Sequence, residues 1–136
     1  MLLRSPKILP KGVPDCLKKR RLLNEKELSP DLCREYGEKF WDLGWWEDAL
    51  EFFQKADFQP GLEKIKDHCV ENGDAFLLAR LGKQAPEVWR RLAEQARKLG
   101  KLHFARQAYQ QAGETEKAEA LARQLREGDS ERTPHP

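Results

Sequence analysis

The sequence contains no stretch approaching the ~18 consecutive apolar residues needed to cross a membrane. Its first residues lack the apolar core of a secretory signal, so the expectation is a soluble, unexported, cytoplasmic protein with no membrane partner. Cysteine is scarce, and Cys16, Cys33 and Cys69 are odd in number and far apart. That pattern argues against a disulfide framework and for a reducing compartment. Histidine is equally sparse. His68 adjoins Cys69, but neighbouring residues on a helix point about 100° apart and no second ligand pair follows, so no metal site is expected. His103 and His135 stand alone, without a partner that would suggest general-base work. No grouping of nucleophile, base and oxyanion donor is visible, which points away from an enzyme and from a cofactor, and toward a binding surface.

What the chain does contain suits a wet-faced helical protein. Of its 136 residues, 39% are hydrophobic and 35% charged, with four Trp and six Phe to give the apolar side its bulk. A compact domain of this size buries roughly two-thirds of its extended-chain surface. Residues 31 to 60 carry the clearest pattern. Leu32, Tyr36, Phe40 and Leu43 precede Gly44, and Trp46, Ala49, Leu50, Phe53 and Ala56 follow it, all at helical spacing. Two amphipathic helices folded back across Gly44 are predicted, with Gly37, Ala49 and Ala56 placed where their backbones would approach.

The remainder repeats the theme. Residues 1 to 28 form a basic, proline-containing arm with room for a short helix between Asp15 and Leu28. Ser29 and Pro30 are a helix start, serine as N-cap and proline in the first turn. Gln59-Pro60-Gly61 is expected to break the chain before a third helix with Leu62, Ile65 and Cys69 inward, ending near Gly73. Asp74 caps a short apolar fourth helix, AFLLARLG. Pro86 opens a fifth with Val88, Trp89, Leu92, Ala96 and Leu99 inward. A sixth runs from Leu102 to Ala112. A seventh, with Ala118, Leu121, Ala122 and Leu125 inward, stops at Gly128, and 128–136 is a frayed, disordered tail. Glycines 44, 73, 100 and 128 recur every 27 to 29 residues, the mark of a short helical array. The fold class is therefore all-α, a short array of antiparallel hairpins over 29–127 with about seven helices.

The hairpin resembles a tetratricopeptide repeat on Cys33, Tyr36, Gly37, Phe40, Gly44, Ala49, Phe53, Ala56 and Pro60. Cys33 stands where that family has Trp, Pro60 comes one residue early, and Trp45 replaces an expected capping Asp. A second partial match, over 86–113, runs through Trp89, Leu92, Ala93, Ala96, Gly100, Ala105, Tyr109 and Ala112. Ala49 and Ala105 lie 56 residues apart, which is not a whole number of standard repeats, so the middle hairpin must be shortened. The resemblance implies a protein-interaction module: the first helix of each hairpin would line a groove for a peptide. Carried over by position, that groove includes Arg34, Glu38, Trp41 and Asp42 from the first match and Arg90, Glu94, Arg97 and Lys98 from the second.

Charge is unevenly spread. Residues 1–30 hold eight basic and three acidic side chains, 31–73 five and eleven, 74–112 eight and three, and 113–136 four and six. The expected partner is a protein or peptide with an acidic segment, met by Arg90, Arg97 and Lys98 with Glu94 between them. Trp41 is either packed on the next hairpin or an exposed anchor. The alternative is a nucleic-acid-associated protein using the arm, its Lys18-Lys19-Arg20-Arg21 run and the 80–106 face.

Overall fold

The structure of the chain, a computed structural model, describes residues 12–131, with side chains as far as Gly128. Every element among them is a helix: α1 (Cys16–Asn24), α2 (Pro30–Asp42), α3 (Trp46–Ala56), α4 (Gln59–Asn72), α5 (Ala75–Arg80), α6 (Pro86–Lys98), α7 (Leu102–Gln111) and α8 (Thr115–Glu131). The protein is all-α, with eight helices among the described residues in place of about seven because the short N-terminal helix is present. The first part of the arm, residues 1–11, lies outside the described residues, as does the tail from 132 onward. The chain divides into two compact units after Glu63.

In the first unit, α2 and α3 pair as a hairpin. Ser29 caps α2 by accepting from the Leu32 amide at 3.2 Å, and Pro30 occupies the first turn, where a missing amide is harmless. Cys33, Phe40, Ala49, Leu50, Phe52 and Phe53 are buried. Phe52 stacks on Phe40 at 5.7 Å and tilts against Tyr36 at 5.4 Å, extending the apolar arc of α3 beyond the single stripe expected from spacing. Phe53 is boxed in by glycines. A Cβ at Gly37 would come within 2.5 Å of its ring, and one at Gly61 within 2.7 Å. Gly61 has that position because the predicted break at Gln59-Pro60-Gly61 is instead the first turn of α4. Proline is tolerated there because first-turn amides have no partner within the helix.

α1 lies against α3. Asp15 caps it by accepting from the Lys18 amide at 2.8 Å, and Leu22 and Leu23 are half-buried. Lys19 reaches the carboxylate of Asp48 at 2.5 Å and that of Glu51 at 3.4 Å. Asp48, only 2% exposed, is a buried charge that the spacing of apolar residues does not reveal.

In the second unit, α6 pairs with α7, and α7 with α8. Ile65, Cys69, Ala75, Leu77, Leu78, Trp89, Leu92, Ala93, Ala96, Ala105, Ala108, Tyr109, Ala118 and Leu121 form its core. α5 is only six residues long, consistent with a shortened middle hairpin, and Asp74 caps it at 3.0 Å from the Leu77 amide. Leu99, expected inward, is exposed, and so is Phe76 of the apolar α5. Phe76 is 55% exposed and Leu99 49%, the latter because it is already the C-cap of α6, past the last turn held against α7. Gly128 also differs: it lies within α8, which continues to Glu131.

Five helix ends close in the same way. The amides of Trp45, Phe58, Asp74, Lys101 and Glu114 donate to the carbonyls of Phe40, Phe53, Cys69, Ala96 and Tyr109, at 2.8 to 3.0 Å. The residue before each donor has positive φ: Gly44, Asp57, Gly73, Gly100 and Gly113. This is the Schellman closure, which satisfies carbonyls left open at a helix end. Every one of those acceptor residues is buried, so the turns sit directly on the cores.

Candidate functional site

The outward face of α6 follows from its inward one. Trp89, Leu92, Ala93 and Ala96 are buried, which turns Glu94, Arg97 and Lys98 into solvent, with Leu99 beside them. Arg97 and Lys98 also occupy the last turn, where cations complement the helix dipole. Arg90 does not join them. Its Nε lies 2.9 Å from Glu114 Oε1, so it bridges α6 to the turn before α8. Glu94, expected between the arginines, carries no ion pair to either.

Neighbouring contacts fix the C-terminal end of α6 and the turn after it. Gln95 Nε2 donates to the carbonyl of Glu71 at 2.9 Å, and Lys101 Nζ to that of Asn72 at 2.6 Å. Those are the last carbonyls of α4, left without helical partners, and a lysine there also meets the negative end of the dipole. Gly73 presses on the same place: a Cβ on it would stand 2.7 Å from Ala96 Cα. Sequence spacing identified Gly73 as a turn, but not the two side chains that pin it.

On α2 the residues carried over from the repeat family fall out differently. Arg34 is exposed and lies over the Phe58 ring, 5.6 Å from its centroid. Glu38 is half-buried and Asp42 exposed. Trp41 is half-buried and tilts at 60° against Trp46, with ring centroids 4.9 Å apart. Trp45, at the N-cap of α3, makes no side-chain cap bond and stacks on Phe40 at 5.7 Å. Each face belongs to its own unit: Arg34, Glu38, Trp41 and Asp42 to the first, Arg90, Glu94, Arg97 and Lys98 to the second.

Titratable groups away from these faces are set by burial. Cys33 and Cys69 are buried free thiols and Cys16 an exposed one. Burial pushes the Cys69 thiol up to about 12, helped by the carboxylate of Asp74, and raises that of Cys33. Burial lowers the pKa of His68, against the pull of Asp74 and Glu71, and the Asn72 amide nitrogen lies 3.2 Å from its Nδ1. Among the described residues no group of three or more His, Cys, Asp or Glu could hold a metal ion, and no helix is long and apolar enough to cross a membrane. Comparison with protein-family models, with curated proteins and with solved structures gives no match.

Proposed function

We propose that this protein is a non-catalytic interaction module resembling tetratricopeptide repeats, stacked as a short solenoid, that binds an acidic peptide segment of a partner protein in the cytoplasm. The observation that carries the reading is α6, packed on one side and exposing Glu94, Arg97, Lys98 and Leu99 on the other. Two cations beside an exposed leucine suit a peptide that offers carboxylates next to an apolar side chain. The correspondence of the two hairpins supports the repeat reading: Phe40, Gly44, Ala49, Phe53 and Asp57 recur 56 residues later as Ala96, Gly100, Ala105, Tyr109 and Gly113. Three free cysteines agree with a reducing setting.

The test is capture from native cell extract by wild-type protein and by the Arg97→Glu, Lys98→Glu double variant, with bound proteins identified by mass spectrometry. Both side chains are exposed, so the variant should stay folded with the wild-type circular dichroism spectrum, its melting point lowered only by the two anions at the helix C-terminus. Loss of the charge contacts to a desolvated carboxylate costs about 2 to 5 kcal/mol, enough to remove the partner from the captured set. Unchanged capture would place the binding face elsewhere. Arg90 is left out of the variant because Arg90→Glu would set a second carboxylate against Glu114.

A further inference from the structure

The basic run on α1 is split by the fold. Lys19 turns inward to Asp48 and Glu51, while Lys18, Arg20 and Arg21 are exposed. Leu17 stands out with them at 75%, the most exposed large hydrophobic side chain among the described residues. Leu17, Arg20 and Arg21 line one shallow groove with Asn24 and Glu25. α1 thus packs through Leu22 and Leu23 and presents three cations and a leucine outward. The composition of the chain leading into α1 continues that chemistry. Over residues 1–21 there are seven basic side chains against the single acid Asp15, interleaved with Met1, Leu2, Leu3, Ile8, Leu9, Val13 and Leu17, and no aromatic.

The geometry points to the outward face of α1 as a docking site for an acidic phospholipid surface, which the protein would touch without crossing. Such docking departs from the expectation of no membrane partner, which rests on the lack of a spanning stretch, and that lack does not bear on surface binding. Charge complementarity selects a polyanion, and the exposed Leu17 chooses among polyanions. A phosphate backbone gives an exposed leucine no apolar surface to bury against, and single-strand binders use aromatic rings that this segment lacks. At a bilayer interface, cations meet the lipid headgroups while apolar side chains enter the acyl boundary, so the same mixture is favourable. The face is separate from the α6 surface proposed to hold a peptide, and the two stand or fall independently.

The 136-residue chain should be sedimented with phosphatidylcholine vesicles, with the same vesicles containing phosphatidylserine, and titrated in parallel with duplex DNA and single-stranded RNA. Binding is expected to the phosphatidylserine vesicles alone. Each basic residue near an anionic surface strengthens binding about fivefold, so Arg20→Gln with Arg21→Gln, which removes both charges without setting a new carboxylate near Asp48 and Glu51, should weaken it by about 25-fold. Leu17→Ser should weaken it about tenfold. These side chains are exposed, so both variants should retain the wild-type circular dichroism spectrum and melting point. Absence of vesicle binding at low salt would overturn the proposal. So would vesicle binding indifferent to Leu17, or tighter binding to DNA or RNA that Leu17→Ser leaves unchanged.

Discussion

Within Lys18-Lys19-Arg20-Arg21, like charges have unlike roles. Lys19, 19% exposed at its side chain, is held by a carboxylate that is 3% exposed, whereas Lys18 is exposed to solvent. Removing one partner of a buried pair leaves the other's desolvation poorly compensated. Lys19→Met is expected to lower unfolding free energy by about 3 kcal/mol, and Lys18→Met by no more than about 0.5 kcal/mol. Urea denaturation of the two variants checks this, and equal effects would show that Asp48 does not depend on Lys19. The cysteines separate by the same logic. The Cys69 pKa is raised in the folded state, so its contribution to stability is fully present below the ordinary thiol value of 9.0 and is lost as pH rises toward about 12. Stability should fall above pH 9 by at most about 1.4 kcal/mol per pH unit, with a smaller slope in Cys69→Ala. In native protein only Cys16 should react quickly with a thiol reagent. That Cys33 and Cys69 are inward was legible from their place on helical stripes. That Lys19, alone of four cations, is inward was not, because nothing local to the run distinguishes it.

At the scale of elements, helix starts were read from local chemistry and helix ends from glycine, with uneven success. Ser29, Asp74 and the turns at Gly44, Gly73 and Gly100 stand as expected, since caps and positive φ are decided within a few residues. Asp57, which closes α3 at φ 49, was not visible, because a non-glycine enters that conformation only where its surroundings hold it. Gly128 shows the converse, a glycine carried inside a helix. Two turn glycines of similar φ give a test of what tertiary contact adds. Gly100→Ala meets nothing within 4 Å and should cost only the left-handed strain, about 1 kcal/mol. Gly73→Ala brings the same strain plus overlap with the backbone of Ala96, which cannot swing away, and should cost about 3 kcal/mol. Equal midpoints in urea for the two variants would mean that the turn after α4 is not pressed onto α6.

At the scale of the molecule, a net charge of +2 conceals blocks of opposite sign, and the basic block over residues 74–112 contains the exposed Arg97 and Lys98. Capture of an acidic peptide there should weaken as salt rises from about 0.05 to about 0.5 M, because the Debye length shrinks from beyond the reach of one side chain to within it. Salt-independent capture would assign the partner to apolar contacts alone. The sequence by itself determined the all-α class, both long hairpins, the shortened α5 and the inward faces of most helices. Those depend on 3.6-residue periodicity and on caps, which act over one or two turns. Only the tertiary structure decided that Arg90 pairs with Glu114 and leaves Arg97 and Lys98 to solvent. It likewise decided that Leu99 and Phe76 are exposed, and that Asp48 is a buried charge beneath α1. Each depends on which distant element arrives beside a residue, and periodicity carries no information about that neighbour.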